Sequence, residues 1–294
     1  MRIGITGATG FIGSHLAEQA RQHNHEIVAF SRTPDRPKPG FSETRAFSTD
    51  STPDLSGLDA IVHLAGENLM GIWTPPKKRR IRNSRVDGTR RIVEGLTAAS
   101  DGPRTFICGS AIGYYGDTGD DVVDESSPVG TGFLADVAEA WEAEADRAPD
   151  SVRTVKLRTG IVLGDGGAMK LIAPVFRAGL GGRLGDGQQW MSCIHVDDVA
   201  GLILHAVEND QLSGPLNAVL PEPSRNREVT RLIAEAAHRP AFLPVPTLAL
   251  KVALGELHHL VLDSQRVTPK VALASGYDYR YPTLTGALDQ LFGD

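Results

Sequence analysis

Cysteine is scarce in this chain: Cys108 and Cys193 are the only two among 294 residues. Each sits in an apolar, strand-like stretch, TFICGS and MSCIHV. Two thiols make no disulfide framework and could pair only if the fold brought them together. Two reduced, buried thiols of a cytoplasmic protein are expected instead. No apolar run approaches the roughly 20 residues of a membrane span. The chain opens on the strand-like MRIGITG, with no apolar leader and no cleavage site, so no membrane partner is expected. Excess charge of one sign is also lacking. A net charge of −6 argues against a general nucleic-acid binder. The one basic run, Lys77, Lys78, Arg79, Arg80 and Arg82, reads as a solvated face. His258 and His259 are adjacent and would point apart on a helix, and no set with metal-ligand spacing accompanies them, so no metal is expected. Internal repeats and low-complexity tracts are absent.

What is present is an alternation. Short apolar runs at Arg2–Thr6, Glu26–Ser31, Ala60–Leu64, Thr105–Cys108 and Thr154–Arg158 are bounded by Gly, Ser or Asp. Their continuous hydrophobicity suits strands buried on both faces of a parallel sheet. Helical stretches lie between them: Phe11–His23, Val86–Ala99 with Ile92, Val93 and Leu96 on one face, and the Ala- and Glu-rich Leu134–Ala148. This order predicts βαβ units and an α/β, doubly wound parallel sheet of Rossmann type. After about Gly164 glycines crowd the chain around a helix near Met169–Ala178. A strand at Cys193–Val196, a helix at Val199–Val207 and an apolar run at Pro215–Val219 follow, and Ala241–Leu262 is Pro-punctuated, then helical. The pattern predicts a dinucleotide-binding domain over residues 1–165, to which 190–220 return. A small C-terminal substrate lobe would be formed mainly by 166–189 and 221–294.

The glycines of Thr6-Gly7-Ala8-Thr9-Gly10-Phe11-Ile12-Gly13 come straight off the first strand and open a helix. Gly7 permits the tight turn, Gly10 lets the backbone approach a pyrophosphate, and Gly13 lets the helix pack closely on the sheet. The helix N-terminus offers free N–H groups and partial positive charge. A Gly-rich turn without a ligand is the alternative, and the strand–turn–helix setting argues against it. NAD-specific sites carry an Asp or Glu at the end of the second strand, for the ribose 2′-OH. Here that strand ends Ser31-Arg32-Thr33. A guanidinium fork suits phosphate oxygens, so Ser31 and Arg32 predict the 2′-phosphate of NADP(H). The alternative for Arg32 is a solvent-facing strand end. The small residues of Leu64, Ala65 and Gly66 would let the adenine side of the cofactor pass.

Together with LAGEN at 64–68, SRVDGT at 84–89, SAIGYYG at 110–116, FL…WE at 133–142, RTGIVLGDGGA at 158–168, GLGGRLGDGQQW at 179–190, IHVDDVA at 194–200 and ASGYDYRYP at 274–282, this motif resembles the extended short-chain dehydrogenase/reductases, in their atypical, epimerase-like branch. The resemblance spans nearly the full length, and the ordered set is what makes it specific. It implies that Gly7, Thr9, Gly10, Phe11, Ile12 and Gly13 line the pyrophosphate and that Ser31 and Arg32 meet the 2′-phosphate. It also implies that Leu64, Ala65 and Gly66 flank the adenosine side and that Arg85 is a further cofactor contact. It places a helix start at the basic run and a strand-to-helix junction at His195–Asp198, with Asp197 or Asp198 as cap.

Ordinary enzymes of this type use Ser or Thr, Tyr and Lys. The Tyr passes the proton, the Lys one helical turn later lowers its pKa, and the Ser orients the carbonyl. Here Leu134 stands in place of the Tyr and Ala138 in place of the Lys, and neither transfers a proton. The remaining catalytic candidates are Ser110, with Ala111 as its alternative in register, and the loop residues Tyr114 and Tyr115, each an acid or a structural aromatic. Arg158 is placed for an anionic substrate or the cofactor, while Lys156 points away. Arg183, Gln188 and Trp190, on the Gly-rich loop 181–190, suit closure over a small polar substrate, carbonyl- or sugar-like, or form a lid without a ligand. The expected function is an NADP(H)-dependent oxidoreductase or epimerase-like enzyme. The alternatives are a non-catalytic NADP(H)-binding regulator or scaffold, and a nucleotide-sugar binder without chemistry.

Overall fold

The computed structural model describes residues 1–36 and 40–293. The strands β1 (Arg2–Thr6), β2 (Glu26–Ser31), β3 (Glu43–Ala46), β4 (Ala60–His63) and β5 (Thr105–Ala111) join two later ones in a seven-stranded sheet. Its order is Gly214–Ala218, Arg153–Thr159, β5, β4, β1, β2, β3, and every pairing is parallel. Successive side chains point to opposite faces. Ile3, Ile5, Ile27, Ala29, Val62 and Ile107 pack on one face against Leu16, Val199 and Ile203, from α1 (Phe11–Gln22) and α5 (Val196–Glu208). Val28, Phe30, Ile61, Phe106 and Cys108 pack on the other against Ile92, Leu96 and Trp141, from α2 (Pro75–Ala98) and α3 (Phe133–Ala145). Each such side chain contributes about 1.5–3 kcal/mol by burial. The doubly wound sheet is therefore as expected, and its order reverses between β1 and β4, where such sheets open a crevice at their carboxyl ends.

Several boundaries differ from expectation. The edge strand β3, ETRA, is half-exposed and has no apolar run to announce it. Arg45 holds it by bonds to Glu43 and to the carbonyls of Asp54 and Ser56. Helix α2 begins at Pro75, well before Val86, because Thr74 caps it and proline suits its first turn. Its basic first turns are partly paired, Lys77 and Arg80 with Glu67 and Lys78 with Glu256. The cap of α5 is neither Asp197 nor Asp198 but His195, whose Nδ1 accepts from the Asp197 N–H at 3.2 Å. The Asp198 carboxylate instead accepts from the backbone N–H groups of Arg280 and Tyr281.

The C-terminal lobe has its own core, in which Leu163, Met169, Phe176, Cys193, Val229, Ile233, Leu284 and Leu288 meet. These come largely from α4 (Met169–Arg177), α6 (Asn226–Ala236) and the helix Leu284–Phe292. The strand Cys193–His195 pairs with Ile161–Leu163, outside the main sheet, and Gly214–Ala218 is the segment that returns to it. Cys108 and Cys193 are unpaired, and burial pushes both thiols up to about 12. No helix among the described residues is long and apolar enough to cross a membrane.

At the end of β4 the His63 ring is wholly buried. Its Nδ1 lies 2.7 Å from Thr6 Oγ1, and its Nε2 has no partner among the described residues. Burial, with the Arg85 charge nearby, lowers its pKa to about 3. The unfolded chain therefore binds a proton below about pH 6.5 that the fold refuses, and stability falls as pH drops through that window. Between pH 7 and pH 5, urea unfolding of the wild type should show about 2 kcal/mol of loss that His63→Asn does not share. Equal losses in both proteins would contradict this role for His63.

Candidate functional site

Strand β1 ends at Thr6, and Gly7 turns the chain with a φ of +71°. A Cβ at Gly13 would stand 2.2 Å from the Gly7 carbonyl oxygen, so α1 sits against the turn as closely as glycine allows. Gly10 caps α1 without a side chain, which leaves the first-turn N–H groups open toward the crevice. The Phe11 ring is covered by the loop at Gly164–Gly167, where a Cβ on Gly166 would come within 2.5 Å of it. Phe11 thus offers the crevice its backbone, and its ring supports the covering loop.

The neighbouring strand ends converge on this turn. Thr6 Oγ1 accepts from the N–H groups of Leu64 and Ala65, both at 3.1 Å. Phe30 lies opposite Thr6 in the sheet, so Ser31 and Arg32 emerge at the same end. Ser31 Oγ accepts from the Thr33 N–H, while Arg32 is exposed and its guanidinium has no hydrogen-bond partner among the described residues. Arg85 reaches in from α2 and lies beside Gly66, 5.3 Å over the Trp141 ring. Its Nη1 donates to the carbonyls of Glu67 and Ile81, and no carboxylate among the described residues is hydrogen-bonded to it. Burial lowers its pKa to about 10, so it keeps its charge at neutral pH, with N–H groups to spare for an anion or a ribose.

Beyond Arg85 the site becomes a closed polar network. Ser110 donates to Glu142 Oε1 at 2.6 Å, and Arg158 grips both oxygens of Glu142 at 2.8 Å. Arg158 also donates to the Tyr115 hydroxyl, which in turn donates to Asn217 Oδ1 at 2.8 Å. The charged side chains of Arg158 and Glu142 are 4% and 5% exposed. Burial opposes the Arg158 charge, but hydrogen bonding and attraction by Glu142 outweigh it and raise the pKa.

This corrects the expectation for Arg158 and decides between the two readings of Tyr115. Arg158 is not open to an anionic substrate, because Glu142 already neutralises it. Tyr115 is not a free acid: it is 3% exposed, its hydroxyl is bonded on both sides, and burial pushes it up to about 12. Tyr114 is half-buried, with the Arg158 guanidinium 3.5 Å from its ring centre, and its hydroxyl has no protein partner among the described residues.

The helix face that would carry Tyr and Lys is apolar in space as well as in sequence. Leu134 packs with Leu69, Trp73, Ile81 and Phe133 and with Leu254, Leu257 and Leu260 of the C-terminal lobe, and Ala138 is 3% exposed. No hydrogen bond or ion pair among the described residues joins Arg183, Gln188 or Trp190 to Ser110. Arg183 lines an open cavity of about 690 Å³ with Arg227, Arg231, Arg239 and Phe242. Gln188 is exposed. Trp190 is not free to cover a ligand, because it lies between the guanidinium groups of Arg225 and Arg266, each 4.4 Å from its ring, and donates to Asp120.

Sequence reading missed Glu142 and Asn217. One signal for Glu142 was available: Arg158 follows the apolar Val155 and Leu157 of a sheet strand, and a buried charge demands a partner.

A family model described as "NAD dependent epimerase/dehydratase family" matches residues 3–218, and one described as "Domain of unknown function (DUF1731)" matches 245–291. The chain is 38% identical to the epimerase family protein SDR39U1 homolog, chloroplastic, of Arabidopsis thaliana, over 98% of this chain and 86% of that protein. The crystal structure of human epimerase family protein SDR39U1 (isoform 2) with NADPH superposes with a TM-score of 0.93, at 34% identity and over 100% of both chains. A nucleoside-diphosphate sugar epimerase from Corynebacterium glutamicum matches with a TM-score of 0.80 at 32% identity, over 100% of this chain and 58% of that one.

Proposed function

The chain belongs to the NAD-dependent epimerase/dehydratase family, and from that premise we propose that it binds NADP(H) and serves oxidoreductase or epimerase-like chemistry on a small polar, carbonyl- or sugar-like substrate. The observation that carries this reading is the conjunction of a helix N-terminus behind Gly7 with no side-chain cap and an exposed Arg32, just past β2, whose guanidinium has no hydrogen-bond partner among the described residues. The first suits a pyrophosphate and the second a 2′-phosphate. The human relative crystallised with NADPH, and the sugar epimerase from Corynebacterium, support the cofactor and the substrate class.

The cofactor, when bound, supplies the hydride chemistry. The protein's part is to hold it and to manage a proton. Leu64, Ala65 and Gly66 leave room on the adenosine side, and Arg85, beside Gly66, offers the cofactor a fixed cation. Ser110 has one proton and gives it to Glu142, so its hydroxyl can accept a hydrogen bond from a substrate but cannot polarise a carbonyl. Tyr114 therefore holds the proton role, as the one phenol of the pair with a free hydroxyl. Incubating the protein with NADPH and a panel of aldehydes, ketones and nucleotide sugars should show cofactor oxidation. Tyr114→Phe should reduce it at least about 100-fold without changing NADPH affinity. Turnover that survives Tyr114→Phe would remove Tyr114 from the mechanism.

A second reading, a non-catalytic NADP(H)-binding regulator, draws on Leu134. The side chain at the tyrosine position is part of an apolar contact between α2, α3 and the C-terminal lobe. Tight NADPH binding with no turnover across the whole panel would favour it.

A further inference from the structure

We propose that His23, His25 and Glu208 form a binding site for a first-row divalent transition metal such as Zn²⁺, at the opposite end of α1 from the dinucleotide turn. The ligand atoms of the three side chains lie within 4.8 Å of one another. Glu208 Oε1 is 2.8 Å from His25 Nε2 and 3.2 Å from His23 Nδ1. Bond lengths of about 2.0–2.2 Å to zinc place tetrahedral neighbours about 3.4 Å apart, so a small spreading of this trio admits an ion.

The trio is held by backbone, not by chance rotamers alone. His23 follows the last residue of α1 and donates its N–H to the Gln19 carbonyl. Asn24 takes a left-handed φ of +61°, which asparagine tolerates, and reverses the chain. The N–H groups of Asn24 and His25 close on the carbonyls of Arg21 and Ala20. The two rings are thereby brought to one side, with centroids 6.3 Å apart. Glu208 ends α5, which packs along α1 through the main core.

The chemistry selects the metal. Two imidazoles and one carboxylate suit Zn²⁺, Ni²⁺ or Cu²⁺, whereas Mg²⁺ and Ca²⁺ want oxygen shells. The N-terminal nitrogen lies 3.3 Å from His25 Nδ1, so Nε2 is the nitrogen that faces the cluster. The His25 side chain is 10% exposed, against 53% for His23 and 39% for Glu208. One side of the site is therefore open, for water ligands and for exchange. A bound ion would tie the C-terminal ends of α1 and α5 together.

Tag-free full-length protein, stripped with a chelator, should take up one Zn²⁺ per chain by calorimetry at neutral pH and no Mg²⁺. Saturating Zn²⁺ should raise the melting temperature by about 2–5 °C. Glu208→Gln and His25→Ala should each weaken zinc at least about tenfold. His23→Ala, which alters the most exposed ring, should do the same without endangering the fold. Replacing both His258 and His259 by alanine should leave the affinity unchanged. Absence of zinc binding, or zinc binding that the first three variants do not weaken, would overturn the proposal.

Discussion

Glu142→Ala is expected to destabilise the protein by about 3–5 kcal/mol, the range for breaking a buried ion pair from one side. The substitution leaves the Arg158 guanidinium in a site that is almost closed to water, with Tyr115 the one hydrogen-bond partner left among the described residues. It also removes the acceptor of the Ser110 proton. Much of the loss is the cost of an uncompensated buried charge and not the value of the pair itself. Replacing Glu142 and Arg158 together by apolar residues of similar volume should therefore restore a large part of it. Urea denaturation of the single and double variants measures both. A loss under about 1 kcal/mol for Glu142→Ala would mean that water reaches Arg158 and that the network is not the closed one described.

Arg32→Ala is expected to weaken NADPH binding by about 10- to 100-fold and NADH binding by less than about twofold. Charge-assisted hydrogen bonds contribute about 1.5–3 kcal/mol each way of counting, and NADH has no 2′-phosphate to receive them. The unpaired state of Arg32 among the described residues makes the variant clean, because no internal bond is lost with the side chain. Arg32→Glu should go further, repelling the phosphate while offering an acceptor to the 2′-OH. Equal losses for the two cofactors would place the 2′-phosphate elsewhere.

What was legible in the chain follows from the range over which each feature is encoded. The turn at Gly7–Gly13 is a local affair of strand, glycine and helix start, and it stands in the structure with the contacts its spacing demands. The two faces of the sheet are likewise local, since apolar runs such as Ile27–Phe30 and Phe106–Cys108 supply both. The start of α2 was hidden from periodicity by its own solubility, although the resemblance placed a helix start at the basic run. Pro75–Arg80 has no apolar period to read, and only Thr74 and the prolines mark the cap. The edge strand β3 was hidden for a related reason: a strand with one neighbour and a wet face needs no hydrophobic pattern.

The glycine turn and the strand ends beside it were legible, and the polar network beyond them, whose residues bond to each other, was poorly legible. Arg32 can be read from the residue that is missing beside it, an acid at the end of β2. Arg158 was misread because its partner lies on another element, and the two readings of Tyr115 stayed open because its partner, Asn217, lies 102 residues away. A charged or phenolic group in an apolar segment could be facing a substrate or paired with another buried group, and local sequence does not distinguish the two. Trp190 carries the same lesson. Its aromatic face looks available in GDGQQW, yet Arg225 and Arg266, from distant segments, already occupy it.

The claim on which the rest depends is that the crevice behind Gly7 takes a dinucleotide and prefers the phosphorylated one. Calorimetric titration of the purified full-length protein with NADPH and with NADH under identical salt tests it directly. The account predicts one NADPH per chain, bound at least about tenfold more tightly than NADH, the difference that a guanidinium–phosphate contact supplies. Equal affinity, or tighter binding of NADH, would contradict it.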